Sequence, residues 1–200
     1  MYELIILSLL MRWPAHGYLI AKIINDIIGP YAKISNGRLY PLLSKLEEDG
    51  LIVTHIETTK THKGERQLRS YEITEDGRKR FHQLMMDTTS NPGEYQKLFV
   101  QKVPYLEFLK PSERLYLVDH YINYCQAHVL HLTAEAEDLE KDVANTEYMS
   151  PSHLAATLNV MHHIADQWRL ELDWAKSLRE RKLTQAEGVK APTASQSSNQ

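Results

Sequence analysis

The stretch that decides the fold is residues 35–50, SNGRLYPLLSKLEEDG. Its leucines recur at helical spacing and form one apolar stripe, whereas polar side chains occupy the opposite side. Ser35 or Asn36 can cap the start of the helix with a side-chain oxygen, and Gly50 supplies the stop. The pattern predicts a short helix that is anchored on one side and leaves a polar face exposed. The anchoring residues are Leu39, Leu42, Leu43 and Leu46.

Pro41 is an unusual residue for the interior of such a helix. A proline there removes one amide donor and clashes one turn back, which costs about 3 kcal/mol. Only the first turn of a helix lacks amide partners, so we expect this helix to start late, near Gly37 or Arg38. In that position Pro41 would stiffen the end that carries the polar side chains.

Two helices are predicted before this segment. The first covers Tyr2–Arg12 and is stopped by Pro14. The second covers Gly17–Ile27, carries a broad apolar stripe, and ends at the Gly29-Pro30 pair. Three short helices in series, with the polar-faced helix third, are typical of a helix-turn-helix domain.

A hairpin and a fourth helix are predicted after it. Residues 51–58 and 67–74 are rich in β-branched and aromatic residues, as strands prefer. A polar, basic tip over residues 59–66 separates them, and a capped helix then runs to about Met86. The fold class is therefore predicted to be mainly α with a small β-hairpin, a winged helix-turn-helix domain over residues 1–86.

The polar face of the third helix and the tip of the wing are the predicted DNA-binding surfaces. In this kind of domain the third helix lies in the major groove, while the wing touches phosphate or the minor groove. Polar and basic side chains supply hydrogen bonds to base edges and positive charge for phosphates. The predicted DNA-binding residues are Ser35, Asn36, Gly37, Arg38, Tyr40 and Lys45 in the helix, and Lys60, His62, Lys63, Gly64 and Arg66 in the wing.

The rest of the chain is predicted to be a helical dimerisation arm. Residues 87–94 form a linker, residues 95–183 the arm, and residues 184–200, rich in Ser, Gln, Ala and Pro, a disordered tail. Apolar residues alternate at steps of three and four over 115–143 and again over 154–175, the spacing of a coiled coil. This spacing predicts two long helices that pair as a hairpin. The predicted dimerisation residues are Leu115, Val118, Ile122, Cys125, Val129, Leu132, Leu139, Leu158, Met161, Trp168 and Leu172.

Composition and charge set limits on location and partners. The chain is 42% hydrophobic and 24% charged, which is ordinary for a soluble globular protein. Its net charge is -3, but residues 1–86 hold 12 Lys and Arg against 10 Asp and Glu, which gives modest support for a nucleic-acid partner. The start lacks the features of a secretion signal, no apolar run is long enough to span a bilayer, and Cys125 has no cysteine partner. We therefore expect a cytoplasmic protein without a membrane partner.

Four short motifs carry a family resemblance. They are His16-Gly17-Tyr18, GRLYPLL at 37–43, LEEDGLI at 46–52 and YEITEDGR at 71–78. Together they cover nearly all of the first domain, which resembles the PadR-type transcriptional regulators. The two long helices that follow, to about Leu183, resemble in their layout the larger PadR subfamily, whose C-terminal part is called the virulence-activator α domain.

The resemblance implies a homodimeric repressor on an inverted-repeat, palindromic operator in double-stranded DNA. In some family members a small aromatic ligand such as a phenolic acid releases the DNA, so a small aromatic effector is a further expected partner. The resemblance places the effector site between the winged helix-turn-helix domain and the helical arm. Aromatic residues at helical spacing are also typical of a protein core or an interface. The effector-binding residues suggested in this way are His16, Phe99, Tyr121, Tyr124 and Trp168.

Other functions fit the sequence less well. A winged-helix protein-interaction module, whose basic wing binds an acidic protein, is the alternative from a different class. No nucleophile elbow, phosphate loop or zinc-protease motif is present, so we expect no enzyme and no cofactor. Cys125, His128 and His131 could share one helix face, but Cys125 also fits a buried apolar position, so no metal site is predicted.

Overall fold

The structure is a computed structural model that describes residues 1–29, 33–61, 64–141 and 149–188. The chain divides into two compact units, Met1–Leu106 and Glu107–Gln200. Residues 87–94, predicted as a linker, lie inside the first unit. The two units are described separately below.

The first unit is a winged helix, as predicted. Three helices come first, a two-stranded wing follows the third, and a fourth helix packs back onto the first. Its elements are α1 (Tyr2–Leu10), β1 (Ala15–His16), α2 (Gly17–Ile28), α3 (Asn36–Glu48), β2 (Ile52–Thr61), β3 (Gly64–Ile73), α4 (Glu75–Met86) and α5 (Tyr95–Lys102), with a 3₁₀ turn at Pro92–Glu94. A second 3₁₀ turn, Val103–Phe108, includes the boundary between the two units at residues 106 and 107.

The sheet is larger than the sequence suggested. It has three antiparallel strands in the order β1-β3-β2, and the edge strand β1 was not predicted. The wing strands also extend further toward the tip than expected, since Lys60 pairs with Glu65 and Thr61 with Gly64. β-branched threonines at 58, 59 and 61 favour extended backbone, so the ladder continues where a long polar loop was predicted.

Helix α1 forms the centre of the first unit. Its residues from Leu4 to Leu10 are all buried, and it contacts α2, α4 and β3. The apolar faces of the other helices close around it, because each amphipathic helix must bury its stripe against a neighbour. The fully covered side chains of these helices include Ile20 and Ile24 of α2, Leu39 and Leu43 of α3, and Phe81 and Met85 of α4.

A compact junction joins the end of α3, the start of β2 and the start of α4. Gly50 has φ +72° and the Leu51 amide donates back to the carbonyl of Leu46 at 2.9 Å, which terminates α3. Thr74 donates its hydroxyl to the Gly50 carbonyl at 2.7 Å and accepts from the amide of Gly77 at 3.0 Å, which caps α4. A Cβ at Gly77 would lie 2.0 Å from the Leu51 carbonyl oxygen. Only glycine permits this approach.

Pro41 lies further inside its helix than we expected. Helix α3 begins at Asn36, before the predicted late start at Gly37 or Arg38, so Pro41 lies in the second turn. It has no amide hydrogen to donate to the carbonyl one turn back, and that carbonyl belongs to Gly37 on the exposed face. The helix accommodates the proline because its buried leucines hold both turns against the domain.

The second unit is a hairpin of two long helices, α6 (Pro111–Lys141) and α7 (Pro151–Gly188). Helix α7 runs past residue 184, where the tail was predicted to begin, and residues 189–200 lie outside the described residues. Within the described ranges no helix is both long and apolar enough to cross a membrane. In the two apolar seams Val118, Cys125 and Ala165 are buried, whereas most other members, such as Ile122 and Leu158, are half-buried.

Polar pairs fix the alignment of the hairpin. Tyr121 donates its hydroxyl to the Glu171 carboxylate at 2.5 Å, and Arg179 donates to Asp119 at 2.5 Å. Further along α6, Arg169 donates to the Thr133 hydroxyl. Later residues of α6 thus meet earlier residues of α7, which makes the two helices antiparallel.

We expect Gly77→Ala to destabilise the first unit by about 3 kcal/mol, because its methyl group would overlap the Leu51 carbonyl and the junction would have to open. Gly93→Ala is the matched control, since nothing lies within 4 Å of a Cβ at that position, and it should change stability by at most about 1 kcal/mol. Urea unfolding followed by circular dichroism measures both. Equal midpoints for the two variants would contradict the role given to this junction.

Candidate nucleic-acid interface

Helix α3 is held by its leucines and by the segment before it. Leu39 and Leu43 are fully buried, and Leu46 nearly so. Ile34, just ahead of the helix, is buried as well, and its amide donates to the Asn25 side chain at 2.7 Å. These contacts fix the start and the rotation of α3, so the opposite face is presented in one orientation.

That opposite face is exposed within the first unit. Ser35 stands at the N-cap position, although its side chain makes no capping hydrogen bond. Lys45 pairs with Asp49 at 3.7 Å, and both side chains are largely exposed, so the pair contributes little and leaves the ammonium able to bind elsewhere. The predicted residues of this face, all exposed, are Ser35, Asn36, Gly37, Arg38, Tyr40 and Lys45.

Arg38 is positioned by an aromatic ring from α1. Its guanidinium carbon lies 5.2 Å from the centre of the Tyr2 ring, within the range of a cation–π contact. The sequence gave no signal for this pair, because the two residues belong to different helices. The contact limits where the guanidinium can point, while Arg38 remains exposed.

Tyr40 is partly a packing residue. A Cβ at Gly17 would lie 3.2 Å from the Tyr40 ring and hydroxyl, so the ring rests on the backbone at the start of α2. Burial, and the neighbouring Tyr40, raise the pKa of Tyr71 on β3. The ring is still 45% exposed and can meet a ligand with its outer edge. Position 17 therefore has little room for a side chain, because the Tyr40 ring lies against it.

Tyr18 is a candidate that the sequence analysis quoted without assigning it to the surface. It follows Gly17 at the start of α2 and is 80% exposed. Its neighbour Gly17 lies against the Tyr40 ring, so the backbone at Tyr18 is close to a residue of the exposed face of α3. A highly exposed aromatic residue next to a polar helix face suits contact with a partner.

The wing can be placed only in part. The backbone of Lys60, Gly64 and Arg66 lies in the last rungs of the β2–β3 ladder, where Arg66 pairs with Thr59. His62 and Lys63 lie outside the described residues, as do the side chains of residues 57–68. The basic wing tip therefore stays a prediction.

The suggested effector residues belong to different units. In the first, His16 lies 3.2 Å through Nδ1 from a backbone carbonyl of β3, and Phe99 is fully buried. In the second, Tyr121 is fully buried and the rings of Tyr124 and Trp168 pack edge to face at 5.6 Å. Each side chain therefore has packing partners in its own unit, and an effector role for them stays a prediction.

The histidines and the cysteine of α6 do not assemble into a cluster. Cys125 is fully buried, and burial raises the pKa of its thiol to about 12. His128 stacks flat on Trp168 at 4.0 Å between ring centres, and burial lowers its pKa. In the part of the chain that the structure describes, no three metal-ligating side chains come together.

Comparison with known families finds a match within the first unit. The model of the "Transcriptional regulator PadR-like family" matches residues 6–83, which run from α1 to α4. Over these residues the first unit is similar to PadR-like domains.

Individual relatives of the PadR-like domain are regulators. The "Negative transcriptional regulator PadR" of Bacillus subtilis (strain 168) is 25% identical over 148 residues, which is 73% of this chain and 79% of that protein. A crystal structure of Bacillus subtilis PadR with operator DNA is 20% identical, covers 90% of this chain and 96% of that chain, and has a TM-score of 0.40. A crystal structure of the same protein with p-coumaric acid is 19% identical, covers 90% and 94%, and has a TM-score of 0.37.

We expect Tyr40→Ala to lower the free energy of unfolding by about 1 kcal/mol, because it removes a half-buried ring from the backbone of Gly17. Tyr40→Phe keeps the ring and should stay within about 0.5 kcal/mol of the parent. Urea unfolding of the two variants makes the comparison. If Tyr40→Ala had the parent midpoint, Tyr40 would have no packing role.

Proposed function

We propose that this chain is a transcriptional regulator that binds double-stranded operator DNA as a homodimer and acts as a repressor whose DNA affinity responds to a small ligand. The match of residues 6–83 to the PadR-like family supports the regulator class. The mode of binding, the dimer and the ligand response are proposals argued below.

The observation that carries the proposal is the exposed face of α3 opposite its buried leucines. It displays a guanidinium, a phenol, an amide, a hydroxyl and an ammonium within three turns of one rigid helix. Such groups can meet base edges and phosphates when a recognition helix lies in the major groove. Arg38 is the side chain best suited to a guanine, through two parallel hydrogen bonds.

The wing and the start of α2 extend the surface toward the phosphates. Lys60, His62, Lys63, Gly64 and Arg66 would bring positive charge to the backbone of the duplex, and Tyr18 would lie beside the recognition helix. Phosphate contacts of this type supply affinity and register, while the base contacts of α3 supply sequence preference.

The hairpin of α6 and α7 is the proposed dimerisation element. Val118 and Cys125 are fully covered within one chain, so a second copy would contact the half-buried members of the seams. Leu130 and Leu170 support a partner surface, since they are 72% and 74% exposed. A two-fold dimer would offer two α3 helices to successive major grooves, about 34 Å apart, and would select a palindromic site.

Repression and a response to a ligand are two further parts of the proposed function. The relative from Bacillus subtilis is a negative regulator, which favours repression here. A ligand that binds one arrangement of the dimer more tightly than another would shift the population away from the spacing that fits DNA.

The proposal predicts that Arg38→Ala weakens binding to the preferred duplex by roughly tenfold to a hundredfold, because one bidentate base contact is lost. The duplex is obtained by enrichment from a random library with the full-length chain, and affinity is measured by fluorescence anisotropy. Lys141→Ala is the control, since it removes one exposed cation from α6. Size-exclusion chromatography with light scattering checks that both variants keep the parent assembly.

Salt separates DNA binding from the alternative of a protein-interaction module. Operator affinity should fall linearly in log affinity against log salt as counterions are released. Failure to enrich any duplex, or equal affinities for parent and Arg38→Ala, would overturn the placement of the reading surface on α3.

A further inference from the structure

Asn36 and Gly37, at the start of α3, form a dipeptide that can react without any partner molecule. Of the seven asparagines in the chain, Asn36 alone is followed by glycine. In such a pair the backbone nitrogen of the glycine can attack the side-chain carbonyl carbon of the asparagine, because glycine has no Cβ to obstruct the approach. The product of this attack is a cyclic imide, a succinimide.

The structure leaves the reacting atoms of this pair accessible, since both residues are exposed. The side chain of Ser35 makes no capping hydrogen bond, and the first backbone bonds of α3 come from the amides of Arg38 and Leu39. The Gly37 amide precedes these donors, and no acceptor for it lies among the residues that the structure describes. Beyond its own helix backbone and chain neighbours, a Cβ at Gly37 would meet the Ser35 Oγ at 3.9 Å, an ordinary contact.

Two Asp-Gly pairs, at residues 49–50 and 76–77, could form the same ring but are restrained. The amide of Gly50 donates to a backbone carbonyl of α3 at 2.9 Å, and the amide of Gly77 donates to the Thr74 hydroxyl at 3.0 Å. A nitrogen that is held in this way has to give up its hydrogen bond before it can attack. We therefore expect both Asp-Gly pairs to react more slowly than residues 36 and 37.

The other asparagines of the described chain provide internal comparisons. The side-chain oxygen of Asn25 accepts from a backbone amide at 2.7 Å. Asn91 precedes a proline, whose nitrogen has no hydrogen to release. Asn123 and Asn159 lie inside α6 and α7, where the helix holds the following amide. None of these four combines an open amide with a glycine neighbour, as Asn36 does.

We propose that Asn36 is a site of spontaneous deamidation in the folded protein. The nitrogen of Gly37 forms a bond to Cγ of Asn36, the bond from Cγ to the side-chain nitrogen breaks, and ammonia leaves with the hydrogen of the Gly37 amide. Water then opens the ring at one of its two carbonyl carbons, which leaves aspartate or isoaspartate at residue 36. Water is the one co-reactant, and no electron is gained or lost.

Either product places a carboxylate on the exposed face of α3, two residues before Arg38. A carboxylate in the first turn is favourable for the helix itself, so the aspartate product should stay folded. The same charge repels the phosphates of a duplex that lies against this face. Deamidation would therefore lower DNA affinity with the age of the protein. This consequence rests on the proposed DNA binding, whereas the deamidation does not.

The chemistry is tested on the full-length chain without DNA, incubated at mildly alkaline pH. Trypsin cleaves after Lys33 and Arg38, so residue 36 is recovered in the short peptide 34–38, whose mass and isoaspartate content are followed with time. We expect Asn36 to convert at least about tenfold faster than Asn25 and Asn91, because its neighbouring amide is open and unhindered.

Gly37→Ala is the matched variant for the reaction. Its methyl group fits the open space at residue 37 but obstructs the attack, so conversion of Asn36 should slow by at least about tenfold. Thermal unfolding establishes that the variant is folded. If Asn36 converts no faster than Asn25 and Asn91, or equally fast in parent and folded Gly37→Ala, the modification site is overturned.

The consequence for DNA is tested with the enriched duplex. Asn36→Asp carries the charge of the product from the start and should bind at least about tenfold more weakly than the parent. Asn91→Asp adds the same charge outside the proposed interface and should bind as the parent does. Deamidation with unchanged affinity of Asn36→Asp would overturn the consequence for DNA alone. A chain that binds no duplex would overturn the proposed function and leave the mass-spectrometric result standing.

Discussion

The backbone carbonyl of Leu51 occupies the space that a side chain at residue 77 would need. The rest of the winged-helix unit depends on this close approach of the Leu51 carbonyl to Gly77. Because Gly77 allows it, Thr74 reaches both the carbonyl at Gly50 and the first turn of α4. One threonine thus connects the end of the third helix, the base of the wing and the start of the fourth helix. The angle between the proposed recognition helix and the wing is set here, by backbone contacts.

The exposed face of α3 is organised before any partner binds. Arg38 lies over the ring of Tyr2, and Tyr40 rests on Gly17. A side chain that is already restricted loses less rotamer entropy on binding, so each hydrogen bond it then makes contributes more to affinity. The same contacts join α1 and α2 to the recognition surface. Three helices therefore form this surface, although most of its polar groups can be predicted from the sequence of α3 alone.

The periodicity of the sequence was sufficient for the helices, because amphipathic spacing reports which face is buried. The periodicity failed where an element or a contact depends on a residue that is distant in the sequence. Strand β1 is two residues long and exists because Ala15 and His16 pair with β3, and the contact of Arg38 with Tyr2 joins two separate helices. The N-cap at Ser35 was predicted from the sequence, and α3 starts at Asn36, one residue before the earliest start expected from Pro41. The seam residues were predicted as buried. Their spacing does not show whether they pack on the other helix of the same chain or on a second copy of the chain.

Lys102 contradicts the rule that the rest of the first unit follows. Its neighbours pair their charges at the surface, as Glu94 does with Lys97, whereas the ammonium of Lys102 is buried and donates to one backbone carbonyl. Such burial opposes folding, and an apolar side chain of similar length would fill the space without desolvating a charge. The hydrogen bond of Lys102 offsets part of this cost, because it ties the end of α5 to the backbone carbonyl of Asp87, just after α4.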